Sequence, residues 1–197
     1  GRNILRYCRN ELQQVINKKK NPSVTFLFAF MLLTGRRTCE ILNGESTYEV
    51  DSTYTVNFTG LAKQKKEKGS LSIPVLCYAK DIVDAFGIIR ETYKPPRDSV
   101  DVNRAVSQKY QSWLGRNLLT DEVLFSVGNP HSFRALYACM AYALFEWDKE
   151  YSEAYVVMCI LGHSGLEDSL VYTPYSLGRN FSEEPKLGKI TLPSPLV

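Results

Sequence analysis

The chain holds 197 residues, 44% of them hydrophobic, enough for one domain with a real core. Its formal net charge is only +3, so a surface that attracts a polyanion has to be local rather than global. No apolar run approaches the ~20 residues that cross a bilayer, so no membrane partner is expected.

The five cysteines, Cys8, Cys39, Cys77, Cys139 and Cys159, are scattered and form no Cys-x-x-Cys pair. With only two histidines beside them, they offer no zinc-binding pattern. The sequence shows no carboxylate cluster suited to magnesium, so neither a metal nor a cofactor is expected. Several of the cysteines fall on apolar stripes and read as buried, unbridged thiols. That fits a reducing, intracellular compartment.

In chain order, Ile4, Leu5, Cys8, Leu12, Val15 and Ile16 fall at helical spacing and predict a helix over 3–19. The lysines at 18–20 suit the negative end of its dipole, and Asn21-Pro22 punctuates. "SVTFLFAFMLLTG" predicts a second helix, apolar nearly all round and therefore central to the core, interrupted at Gly35. "RTCEILN" predicts a short third helix. From Tyr48 the period becomes two: Tyr54, Val56 and Phe58 share one strand face, with Thr55, Asn57 and Thr59 on the other. A basic turn, "AKQKKEKGS", leads to the strand "SLSIPVL", so an antiparallel sheet of two or three strands is expected. "AKDIVDAFGIIRETY" returns to helical spacing with Ile82, Val83, Phe86 and Ile89 inward, and "KPPRDS" reads as a loop. Further helices are predicted over about 102–118, 131–147, 151–161 and 166–172. The tail after Pro174 is polar and proline-rich and reads as an extended arm. The expected class is α+β, mainly helical, with one small antiparallel sheet.

Chemistry concentrates at element ends. Arg36 and Arg37 follow the helix break in "LLTGRRTCEIL", and Glu40 lies three residues after Arg37, where the two can pair on one helical face. A carboxylate that fixes a guanidinium prepares it for bidentate contact with an anion. Lys63 sits in the basic turn with Lys65, Lys66 and Lys68; that turn either protects a strand edge or reaches over a bound phosphodiester. His131 and Arg134 stand three apart at a helix start, where backbone N–H groups favour anions. Gly162 breaks a later helix, His163 follows, and Tyr172 comes nine residues on. Arginine, lysine, His-x-x-Arg, histidine and tyrosine, in that order, make a phosphate clamp with a nucleophile. Guanidinium and imidazolium donors would stabilise the pentacoordinate state formed when a tyrosine hydroxyl attacks a phosphodiester.

These motifs resemble the catalytic domain of the tyrosine recombinases, or phage-type integrases. The family's "TGxR-x-x-E" is matched by "TGRRTCE", its "HxxR" by His131 to Arg134, and its "LGH" by the stretch ending at His163. The resemblance implies a catalytic set of Arg37, Lys63, His131, Arg134, His163 and Tyr172, supported by Glu40. Lys65 or Lys66 are alternatives for the lysine, and Arg36, Lys65, Lys66 and Lys68 are expected to bind DNA. Within the family, "LTGRRTCEI", "FTGLAKQK" and "HSFRALYACMAYALF" look most like telomere resolvases. The implied activity is DNA cleavage and rejoining through a 3′-phosphotyrosine, ending in hairpin ends. A conventional integrase, a type IB topoisomerase and an inactive DNA-binding module on the same fold are the alternatives. The implied partners are double-stranded DNA and further copies of the chain on that DNA, in the cytoplasm of a bacterial or phage-infected cell. The expected division is a catalytic domain over 1–175 and an arm over 176–197, with the family's N-terminal DNA-clamping domain absent.

Overall fold

The computed structural model describes residues 2–61, 69–93, 130–147, 150–163 and 185–192, with single helical positions at 104, 108 and 112. The fold is organised by a helix that has no polar face. In α2 (Val24–Thr34) every residue from Thr25 to Thr34 is buried. Ser23 caps its start by accepting the Phe26 N–H, and Gly35 ends it in the left-handed conformation at φ 66°. A side chain at Gly35 would also collide with the Tyr137 ring, so two constraints select glycine there.

Three helices lie against α2: α1 (Arg2–Ile16), α4 (Ala79–Tyr93) and α5 (Pro130–Leu144). From α1, Ile4, Leu5, Cys8, Leu12 and Val15 are buried, which are the stripe positions read from the sequence apart from half-buried Ile16. Phe28 of α2 stacks on Phe133 of α5 with centroids 5.2 Å apart. The short α3 (Thr38–Ile41) follows directly after the Gly35 turn.

The sheet has three antiparallel strands in the order β1 (Thr47–Val50), β2 (Thr55–Thr59), β3 (Leu71–Pro74). Val56, Phe58, Leu71 and Ile73 form its buried face. Tyr48 joins the sheet to α4, packing on Phe58 at 4.9 Å and on Phe86 at 4.5 Å. Thr55, on the strand face opposite Val56 and Phe58, is buried too, and its hydroxyl bonds Asp51 and Ser52 in the preceding turn. Val83, expected inward, is half-buried at the margin of the core.

The predicted helix over 131–147 stops at Leu144. Residues Phe145–Trp147 instead form β4, which pairs in parallel with β5 (Gly188–Ile190) of the tail. The helical pattern could not show this, because the strand's partner lies more than forty residues downstream. The last helix among the described residues, α6 (Glu153–Leu161), begins at its Ser152 cap and ends at Gly162, again left-handed at φ 67°. All five cysteines are buried thiols. Among the described residues no helix is long and apolar enough to cross a membrane. The helix predicted over 166–172 and most of that over 102–118 lie outside the described residues.

Candidate active site

The left-handed turn at Gly35 decides where the two arginines go. The chain leaves α2 and runs extended through Arg37 (φ −70°, ψ 151°), so successive side chains point to opposite sides. Arg37 turns outward and its side chain keeps 26% of its surface exposed. Arg36 turns inward and is 0% exposed.

Glu40 is buried beneath Arg37. Its Oε1 accepts Arg37 Nη1 at 2.7 Å and its Oε2 accepts the Arg37 backbone N–H at 2.8 Å. The pairing read from the sequence is therefore made twice, by side chain and by backbone. Arg134 Nη1 lies 3.7 Å from the same Oε2. Burial alone would push this carboxyl up. The charges of Arg36, Arg134 and Arg37, with the Arg37 backbone N–H, outweigh it and hold the group below its ordinary value. Three guanidiniums against one carboxylate leave a surplus of positive charge around Glu40, in surroundings where water screens little.

Arg134, in the second turn of α5, is 2% exposed. Its Nη1 donates to the Gly35 carbonyl at 2.5 Å and its Nη2 to the Leu161 carbonyl at 2.7 Å. The same Nη2 is 3.3 Å from His163 Nε2. A guanidinium has no lone pair to accept with, so in this contact Nε2 is the acceptor and Nδ1 carries the ring proton. His163 owes its place to Gly162, whose left-handed turn ends α6 and sends the chain back past the last carbonyls of that helix.

The structure thus brings Arg37, Glu40, Arg134 and His163 into one connected cluster. His131 lies in the first turn of α5, one turn before Arg134; its side chain lies outside the described residues, as do Lys63, Lys65, Lys66, Lys68 and Tyr172. Arg36 does not stand where the sequence reading put it. A guanidinium enclosed by Ile160, Thr34 and the Phe58 ring has no face for a DNA phosphate. The doublet "TGRR" held a signal for this, since two successive residues on extended backbone cannot both face out. Sequence reading also missed the carbonyls of Gly35 and Leu161, which hold Arg134 and which no side-chain pattern marks.

The arginine–glutamate–arginine–histidine cluster, with the family match over residues 4–175, defines a catalytic domain of the tyrosine-recombinase type. Residues 4–175 match the family of telomere resolvase ResT/TelK catalytic domains, and the chain belongs to that family. It is 28% identical over 213 residues to the protelomerase of Escherichia phage N15, covering 90% of this chain and 32% of that protein. It is 30% identical over 189 residues to the protelomerase of Klebsiella oxytoca phage phiKO2, covering 82% and 28% respectively. The chain thus spans about a third of the length of these relatives. Protelomerase TelA covalently complexed with substrate DNA shares the fold at a TM-score of 0.71 and 24% identity, over 92% of this chain and 60% of that one. Protelomerase TelK complexed with substrate DNA does so at 0.63 and 24%, over 88% and 37%.

Proposed function

We propose that this chain cleaves DNA through a covalent 3′-phosphotyrosine and reseals each cut end as a hairpin. The observation that carries the reading is the Arg37–Glu40–Arg134–His163 cluster, held at 2.7 to 3.7 Å spacings within a chain of the telomere-resolvase family. Relatives named protelomerase, and a protelomerase TelA mutant complexed with DNA hairpin product, support the hairpin outcome.

The chemistry assigned to the set is a balanced transesterification. The Tyr172 hydroxyl attacks phosphorus and gives up its proton to a base of the site. The bond from phosphorus to the 5′-oxygen breaks, and Lys63 supplies the proton that the leaving oxygen takes up. Arg37, with His131, Arg134 and His163, offsets the charge gathered on the phosphoryl oxygens. In the second half the 5′-hydroxyl of the opposite strand of the same duplex attacks the phosphotyrosine and frees Tyr172. Lys65, Lys66 and Lys68 are assigned to the DNA backbone. No step is assigned to a metal or a cofactor. We assign residues 1–175 to the catalytic unit and 176–197 to an arm, copies of the chain assembling on DNA inside the cell.

A nicked suicide duplex, incubated in excess chelator and run on a denaturing gel, tests the chemistry. A covalent protein–DNA band is expected, lost in Tyr172→Phe and kept in Tyr175→Phe; the reverse pattern moves the nucleophile to Tyr175. On an intact palindromic site, two covalently closed ends from one duplex are expected. Recombinant duplexes as the only products would replace telomere resolution with strand exchange.

A further inference from the structure

We infer that Arg36 is a positioning residue for this site: from inside the core it ties the last turn of α6 to the α2–α3 junction, and so sets where Arg134 and His163 stand. The inference rests on the function proposed above. Arg36 Nη2 donates to the Ile160 carbonyl at 2.5 Å, and its Nε to the Thr34 carbonyl at 3.4 Å. Arg134 makes the adjacent pair of bonds, to Leu161 and Gly35. Two guanidiniums therefore cross-link the same two backbone stretches, 34–35 and 160–161, as neighbouring rungs. One stretch leads directly into Arg37 and the other into His163.

The last carbonyls of a helix have no partner within it, and a cation suits that end of its dipole. Arg36 answers both needs at the end of α6. It does so at a cost, because a buried charge loses its hydration, and an apolar side chain of like volume would fill the space without that loss. The compensation is specific: the two carbonyls, the Phe58 ring 5.5 Å away, and the buried Glu40, on whose ionisation Arg36 has the strongest influence among the three arginines. Fully enclosed, Arg36 cannot touch DNA, so whatever it contributes passes through Glu40, Arg134 and His163.

Arg36→Lys keeps the charge but replaces a fork that spans two carbonyls with a single-point donor; Arg36→Met removes the charge as well. Leu12→Ala, in the distant core of α1, serves as a control for plain loss of stability. The chain has two histidines, so ring-proton NMR resolves both, and His163→Gln assigns them. In Arg36→Lys the His163 resonance should move while that of the control stays in place. Single-turnover cleavage at saturating DNA should fall about tenfold to a hundredfold, as misplacement of reacting groups does. DNA affinity should stay within about twofold of wild type, because phosphate contacts are many. An unmoved His163 resonance, an unchanged cleavage rate, a loss confined to affinity, or loss of cooperative folding in both variants would each overturn the inference. A wild-type chain that forms no covalent adduct would sink the proposed function instead, and the His163 shift would still report separately on the Arg36 cross-link.

Discussion

Two guanidiniums reach the Glu40 carboxylate, Arg37 at 2.7 Å and Arg134 at 3.7 Å, and the charge of a third, Arg36, acts on it as well; that imbalance sets what the residue does. In Glu40→Gln the buried guanidiniums of Arg36 and Arg134 would face a neutral amide, and breaking a buried pair from one side costs about 3–5 kcal/mol. Urea unfolding at neutral pH should show a loss of that size. The pH dependence has a definite sign. The folded-state pKa of Glu40 lies below its ordinary value of 4.5, so its contribution is complete above that value and fades as pH falls through the folded-state pKa. Unfolding midpoints measured from pH 6 down to pH 3 should therefore drop less steeply in Glu40→Gln than in wild type. Curves of equal slope would show that Glu40 is not held ionised.

At the scale of elements, the β4–β5 pair connects the tail to the body of the domain. Leu187 N–H bonds the Leu144 carbonyl at 2.8 Å, Lys186 bonds the Ala143 carbonyl at 2.6 Å, and Ile190 is buried against the core. Both described residues that flank positions 164–184, His163 and Leu187, are bonded to the body of the domain. The β4–β5 pair is only three residues long on each strand, so its release should leave the rest folded. Burying a charge at Ile190 should produce that local release. In Ile190→Asp, limited proteolysis should cut faster within the tail, while the main thermal transition falls by only a few degrees. A collapse of the whole transition would show instead that β5 is part of the cooperative core.

For the whole molecule, the small net charge means that the DNA affinity proposed for it has to come from concentrated sites. The surplus charge around Glu40 is one, and the basic turn with Lys65, Lys66 and Lys68 is assigned as the other. Each phosphate neutralised contributes about 0.9 to the slope of log affinity against log salt. Replacing the three lysines with alanine should flatten that slope by between about 2 and 3, read by fluorescence anisotropy from 50 to 300 mM salt. An unchanged slope would place the turn off the DNA.

Local chemistry was legible in the sequence. The apolar run of α2 marked it as the centre, because a helix with no polar face has nowhere to go but inside. The period-two stretch marked the sheet, the glycines after "LLT" and "CIL" marked helix ends, and the spacing of Arg37 and Glu40 marked their pairing. Each of these depends on neighbours within a turn or a strand pair. What the sequence left open depends on partners far along the chain. Arg36 is drawn inward by a carbonyl 124 positions away, and Arg134 is fixed by one 99 positions away. Phe145–Trp147 becomes a strand only because the tail returns to it. Arg36 and Arg37 are chemically alike and adjacent, so nothing local distinguishes them. The tertiary structure separates them, because the Gly35 turn gives one the buried carbonyls at the end of α6 and leaves the other facing out over Glu40.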